Sequence, residues 1–136
     1  MPKMIFVNLP VADLAASIRF YEAIGCRKNE QFSDHRAASM VWSDTITFQL
    51  LTQDYFQTFA PRPLAKPREE IGVLIALSRD SRAEVAAITE AAAAAGGKAD
   101  IRERQDLGFL YGRTFEDPDG HVFEPMWMDM AAATGA

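Results

Sequence analysis

The sequence predicts an α+β fold built from two β-α-β-β-β modules within one domain. Three observations carry that reading. The order of apolar periodicities, one strand, one helix, then three strands, occurs twice, with Phe6 set against Leu74. A proline-rich stretch, residues 60–68 (APRPLAKPR), separates the two occurrences, and neither half is long enough for a good core of its own. Finally, 136 residues at 49% hydrophobic and 24% charged fit one ordinary folded domain and argue against disorder. The first module then spans about 3–59, the linker 60–68, the second module about 69–129, and a tail 130–136. Two copies make a duplication, not a repeat array.

In the first module, Met4 to Leu9 (MIFVNL) is apolar and β-branched enough for a short buried strand, with Pro10 as its breaker. Asp13 stands where a helix N-cap belongs. Leu14, Ile18, Tyr21 and Ile24 follow at helical spacing, and Gly25 supplies the stop. Cys26–Gln31 and Ala37–Trp42 read as strands on either side of the polar turn Ser33-Asp34-His35-Arg36. After Ser43-Asp44, the segment Thr45 to Leu51 alternates cleanly, and Thr52 is placed to cap a short helix carrying Tyr55, Phe56 and Phe59.

The second module opens with Gly72 to Leu77 (GVLIAL) as a strand. Ser81-Arg82-Ala83-Glu84 is a capping box for a helix that runs through an alanine-rich stretch to Ala95 and stops at Gly96-Gly97. Strands are expected at 98–104, 109–116 and 121–128. The last two are joined by Asp117-Pro118-Asp119-Gly120, in which proline and glycine supply the backbone angles of a tight turn.

Composition excludes several function classes. Nineteen acidic against fourteen basic residues give a net charge of −5, and no Lys/Arg run offers the basic face a nucleic acid requires. The single Cys26 allows neither an internal disulfide nor a cysteine-rich zinc site. No apolar run reaches the ~18–20 residues of a membrane span, and Met1-Pro2-Lys3 leads straight into the first strand without a signal-like leader. A cytoplasmic protein with no membrane partner is expected.

With FVNLPVADLAASIRFYEAIG near the start and FEDPDGHVFEPMW near the end, the chain resembles the glyoxalase / bleomycin-resistance / extradiol-dioxygenase family, the vicinal oxygen chelate superfamily, over about residues 4–129. The resemblance implies two modules whose curved sheets form an open cup around a small-molecule site. It also implies a homodimer, some members building sites from both chains. Enzymes of the family hold a divalent metal through four side chains on the first and last strands of the modules. Alignment puts Phe6, Gln49, Leu74 and Glu124 at those positions. Only Glu124 is an ordinary ligand; Gln49 offers an amide oxygen, and Phe6 and Leu74 have no lone pair. Catalytic metals usually keep about three protein ligands, and an apolar floor raises the cost of desolvating an ion. No metal or other cofactor is therefore expected.

Strand alternation extends the site from those four positions. Residues facing inward would include Met4, Phe6, Asn8, Thr45, Thr47, Gln49, Leu51, Gly72, Leu74, Ala76, Val122, Glu124, Met126 and Met128. The opposite positions Ile5, Val7, Leu9, Ile46, Phe48, Leu50, Val73, Ile75 and Leu77 are all apolar and would pack under the helices. A four-residue loop at 117–120 pairs Glu116 with His121, and so places Arg113 across from Glu124 and Tyr111 across from Met126. Inside the cup, an Arg113–Glu124 pair is either a ligand anchor or an internal ion pair that neutralises a buried carboxylate.

The remaining candidates each have a plain structural reading. Cys26 is a small buried hydrophobe or a nucleophile; His121 a turn residue or a catalytic base. His35 lies in a polar turn able to rim the cup. Trp42 and Trp127 stack on an aromatic ligand or fill a core or a dimer contact, while Tyr55, Phe56 and Phe59 close one end of the cup or meet a second subunit. No Ser-His-Asp arrangement, phosphate loop or dinucleotide fingerprint occurs.

Three functions fit. One is a metal-free protein that sequesters a small molecule, with a pocket of Phe6, Asn8, Thr47, Gln49, Leu74, Tyr111, Arg113 and Met126. Another is a divergent glyoxalase-type lyase or dioxygenase acting through Glu124, with or without a weakly held metal. The third is a non-catalytic dimer whose cup is filled by its own side chains.

Overall fold

Pro10, the expected end of the first strand, lies inside it. In the computed structural model, which describes residues 2–133, β1 runs Ile5–Val11. It pairs in parallel with the later strand β4 (Ile46–Thr52) over its whole length, Pro10 beside Leu51. β1 is the last strand of its sheet, and successive residues of a parallel strand direct their N–H groups to opposite sides. A proline on the unpaired side breaks no ladder bond, so the strand runs two residues past Leu9.

The chain divides into two compact units, Met1–Lys66 and Pro67–Ala136, and the division falls in the proline-rich stretch. In the first unit, β1 leads to α1 (Leu14–Ala23), β2 (Arg27–Asn29), a turn of 3₁₀ helix at Glu30–Phe32, β3 (Ala37–Ser43), β4 and α2 (Gln53–Gln57). The strand order is β1-β4-β3-β2. Asp13 caps α1 by accepting from the Ala16 amide at 3.0 Å. Its end follows from Gly25 at φ +114°, a conformation glycine adopts without strain, with the Cys26 amide donating back to the Tyr21 carbonyl at 2.9 Å. Phe20 and Tyr21 on α1 are fully buried with Met40, Phe48 and Leu50 from the sheet; the Tyr21 and Phe48 rings lie 5.7 Å apart. Of the six expected helix-facing positions here, Leu9, Phe48 and Leu50 are buried, whereas Ile5, at the open start of β1, is exposed.

The second unit contains β5 (Ile75–Ser78), α3 (Arg82–Ala94), β6 (Lys98–Ala99), β7 (Gln105–Asp106), β8 (Leu110–Gly112), β9 (Phe115–Glu116), β10 (Val122–Met128) and a final turn of helix, α4 (Met130–Ala133). β10 is central. β5 joins it in parallel, and β9 and β8 join it in antiparallel fashion. Val85, Ile88 and Ala92 of α3 are buried, as are Leu77 and the stacked rings of Phe115 and Phe123, 5.2 Å apart. Ser81 caps α3 by accepting from the Glu84 amide at 3.1 Å. The other half of the expected box is missing, because the Glu84 carboxylate turns to Arg79 at 2.9 Å.

Four expected strands are shorter than the sequence suggests; in the first unit, the one expected at Cys26–Gln31 covers only Arg27–Asn29, because Asn29 caps the 3₁₀ turn that follows. Gly72, Val73 and Leu74 lie outside β5, with Val73 and Leu74 exposed. β5 pairs from Ile75 opposite Phe123, and β10 starts only one residue earlier, so the upstream backbone has no partner in this sheet. The 98–104 segment leaves its ladder after Ala99, where Asp100 takes φ +54°. The 109–116 segment splits at 113–114. The register there puts Arg113 opposite Pro125, which has no N–H to return, while the Arg113 amide still donates to the Pro125 carbonyl at 3.2 Å.

The hairpin loop before β10 holds five residues, 117–121. Its organiser is Asp117, 1% exposed. One carboxylate oxygen accepts from the Asp119 and His121 amides, each at 2.9 Å. Glu116 is consequently opposite Val122 and not His121. At its outer corner, Gly120 (φ +96°) sits so close to the chain that an added Cβ would come within 2.7 Å of Arg68 Cγ and 3.2 Å of the Arg68 amide. The Arg68 guanidinium donates to the Pro118 carbonyl. Among the described residues no helix is long and apolar enough to cross a membrane.

Asp117→Ala leaves two partly buried amides without this acceptor and should cost about 1–3 kcal/mol of stability, read as a lowered urea midpoint. Asp117→Asn, which keeps a side-chain oxygen, should lose less; equal loss in both variants would show that the hairpin does not depend on that acceptor.

Candidate functional site

The faces of the two sheets that carry no helix bear the candidate site residues, and each sheet is taken in turn. On the first sheet, pairing lines up two rows across the strands. Phe6, Thr47, Val41 and Arg27 form one; Asn8, Gln49, Ser39 and Asn29 form the next. Their neighbours along each strand face α1, since side chains alternate. A hollow of about 420 Å³ lies over these rows. Its floor is polar, with Ser39 and Thr47 buried and Gln49 half-buried. Its rim is apolar and open to solvent, with Met4, Phe6 and Phe32 exposed by 44%, 53% and 65%. The 3₁₀ turn that carries Phe32 is fixed to this floor: Ser33 Oγ donates to the Asn29 carbonyl at 2.7 Å and accepts from the Ser39 amide at 3.0 Å.

Phe6, Thr47 and Gln49 are thus brought together as the sequence predicts. Asn8 shares their face beside the hollow and is exposed. Ser39, Val41, Arg27 and Asn29 went unpredicted. The register shifts between Val41 and Ser43, so counting alternation back from the Ser43-Asp44 turn would have set Met40, not Val41, opposite Thr47.

On the second sheet, the five-residue loop corrects the predicted register by one residue. Tyr111 is opposite Trp127, not Met126, and Arg113 is opposite Pro125, not Glu124. A one-residue slip moves a side chain to the other face, so both belong to the face that packs against α3. There the Arg82 guanidinium lies 5.1 Å from the Tyr111 ring and 5.3 Å from the Trp127 ring, held from the far side by two bonds to Asp106 at 2.9 and 3.0 Å. Those bonds, with one from the Gly108 amide, hold the Asp106 carboxyl down at about 2. Arg113, 3% exposed, makes a two-pronged contact with Asp100 at 2.7 and 3.0 Å and reaches Glu90 of α3 at 2.8 Å. It is an internal ion pair that ties the 100–104 segment to the sheet and helix, not a ligand anchor.

Glu124 and Met126 stay on the helix-free face, both half-buried. The cation beside Glu124 is Arg102, whose guanidinium is 2.6 Å from the carboxylate. The Arg102 amide donates to Thr114 Oγ1 at 3.1 Å, and the register makes Thr114 the residue opposite Glu124. Nothing in the strand pattern announces Arg102, because it sits in the irregular stretch after Asp100. Leu74, exposed and outside β5, joins no site in its unit.

The donor set for a divalent metal is poor. Of the four residues that the resemblance aligns with a family metal centre, Phe6 and Leu74 carry no donor atom, Gln49 carries a neutral one, and the Glu124 carboxylate already faces a guanidinium. These residues do not fit a metal centre of the family's usual kind. Among the described residues no three His, Cys, Asp or Glu side chains are grouped to hold an ion. Cys26 is buried, and burial pushes its thiol up to about 12, the opposite of what a nucleophile needs. His35 is exposed in its turn, and the His121 amide belongs to the Asp117 loop. Tyr55 and Phe59 stack edge to face at 5.0 Å, with Arg36 over Tyr55 at 4.2 Å.

The first unit has the β-α-β-β-β order of the vicinal oxygen chelate fold, and the second follows it with its later strands broken into the shorter pieces β6 to β9 ahead of β10. The chain belongs to the Glyoxalase/Bleomycin resistance protein/Dioxygenase superfamily, whose sequence profile matches residues 3–124. Its structure is similar to that of the hypothetical protein SA1046 from S. aureus, at 28% identity and a TM-score of 0.77 over 93% of this chain and 94% of that one. It is also similar to a glyoxalase/bleomycin resistance protein/dioxygenase family enzyme from Burkholderia phytofirmans PsJN (17% identity, TM-score 0.75, covering 93% and 99%). A third likeness is to the fosfomycin resistance protein FosX from Mesorhizobium loti (18%, 0.69, covering 98% of each chain). A comparison with curated protein sequences returns no match.

The bonds from Arg113 hold the Asp100 carboxyl below its ordinary 3.8, with burial opposing. A depressed native value makes this contribution complete above the ordinary value and lost as pH falls through the native one. Asp100→Asn should therefore flatten the decline in stability below pH ~4, measured as urea midpoints across the acid range. An unchanged acid limb would show that the Arg113 pair does not contribute there.

Proposed function

We propose that this chain is a small-molecule-binding protein that sequesters an amphipathic ligand without using a metal. The observation that carries the reading is the hollow on the first sheet, with buried Ser39 and Thr47 beneath an exposed rim of Met4, Phe6 and Phe32. Solvent-exposed aromatic side chains around a polar floor offer a ligand apolar burial at its edges and hydrogen bonds at its centre. The volume of about 420 Å³ is in the range of known small-molecule sites, roughly 300–1,000 Å³. Two of the four aligned metal positions without donor atoms, and a third with only an amide, support binding over metal-assisted turnover. The Arg102 contact on Glu124 further argues against that carboxylate serving as a free base.

N-phenyl-1-naphthylamine, an uncharged dye that brightens in apolar surroundings, is a suitable probe. The wild-type chain should bind it saturably, and Phe6→Glu should weaken binding about tenfold or more by placing a charge on the rim. Because Phe6 is exposed, the variant should keep the wild-type melting temperature. Equal binding by both proteins would remove the hollow from the function. In parallel, protein incubated with excess Ni, Zn, Mn or Fe(II) and desalted should retain far less than one metal per chain. Near-stoichiometric metal that disappears in Glu124→Gln would overturn the metal-free reading.

A further inference from the structure

We infer that Arg102 is an anion-recognition residue on the second sheet, held in place by Glu124, and that it takes a singly charged carboxylate on a small apolar body. The inference goes beyond the hollow of the first sheet and does not depend on it.

The segment bearing Arg102 is built to present it. Asp100, just before it, adopts φ +54°, uncommon for a residue with a side chain. Three contacts keep that turn: the bidentate Arg113 bonds, an Arg104 contact at 3.3 Å, and the Asp100 amide donating to the Thr114 carbonyl at 2.7 Å. Two residues on, the Arg102 amide is fixed to the buried Thr114 hydroxyl. The backbone is thus anchored on both sides of residue 101, and the guanidinium comes to lie on Glu124.

The charge arithmetic then selects the ligand. A guanidinium has five N–H donors in a planar fork. Glu124 engages it through one nitrogen, and the Arg102 side chain remains 51% exposed. Its outer edge can still donate two parallel bonds to a planar oxyanion. The Glu124 carboxylate stands 2.6 Å from it. With Glu124 the pair carries no net charge, so a monoanion leaves one uncompensated negative charge there and a doubly charged phosphate leaves two, which favours the monoanion. Val122 and Met126, two residues either side of Glu124 on the same face, provide apolar footing for the body of such a ligand. Glu124 is then a positioning residue, and its charge tunes the site in the direction opposite to that of a catalytic base.

Benzoate and benzamide share a shape and differ in charge, so the test titrates each into the full chain and follows backbone amide signals by NMR at low salt. Benzoate should move the Arg102 and Thr114 signals and benzamide should not. Arg102→Met, which keeps an apolar stem, should weaken the benzoate response roughly tenfold with its melting temperature unchanged. Glu124→Gln should strengthen it severalfold, because a like charge is removed. Any of three results would overturn the inference: equal responses to both probes, a benzoate response that survives Arg102→Met, or a stronger response to inorganic phosphate at the same signals. The Thr47 and Gln49 signals report separately on the first sheet, so silence there would count against the hollow and leave Arg102 standing.

Discussion

Alternation along a β-strand makes the length of one short loop decide the chemistry of a whole sheet face. In the second unit that loop is 117–121, and Asp117 sets its length by gathering two amides of the turn onto one buried oxygen. With five residues in the loop, Arg113 and Tyr111 belong to the α3 side, where they join Asp100, Glu90 and Arg82. With four, both would stand beside Glu124 and Met126. The helix-free face is consequently left to Glu124, Met126 and whatever the neighbouring irregular segment delivers, which is Arg102.

The two arginines show how placement separates structural from chemical use of the same side chain. Arg113 is buried with all its charge answered by carboxylates, an arrangement that contributes a fixed geometry and is costly to break from one side. Arg102 has one carboxylate beside it and is otherwise half exposed. Glu124, which the sequence resemblance aligns with a metal-binding position, thereby faces a permanent organic cation in this chain. An ammonium or guanidinium group cannot act as a Lewis acid, but it retains the capacity to orient a negative charge.

Regularity governed what could be read from the sequence. The first sheet consists of long alternating strands bounded by clear caps, so the face shared by Phe6, Thr47 and Gln49 followed from parity alone. The second sheet is assembled from two- and three-residue pieces around β10. There the causes of irregularity act through space: Pro125 interrupts its partner at 113–114, and β5 starts late because β10 does. A four-residue turn signal and a five-residue turn look alike in the letters DPDGH; the difference lies in which amides Asp117 reaches. Arg102 follows a left-handed Asp100 held by long-range partners, and no local pattern encodes such a position. The Pro10 reading failed for a related reason, since a breaker in the middle of a sheet is tolerated at its margin.

The close approach at Gly120 also bears on how the stretch between the two units can change over evolutionary time. Its last residues are not free spacer: Arg68 grips the Pro118 carbonyl, and its backbone fills the room a side chain at 120 would need. Length variation is therefore better tolerated among the mostly exposed residues ahead of Pro67. From Pro67 onward an inserted residue would pull the strap off the hairpin and open a space beside the turn. Substitutions at 120 and changes in the path of 67–68 should consequently be inherited as a pair, and a chimera that joins a foreign linker to this second unit has to keep the strap along with the turn.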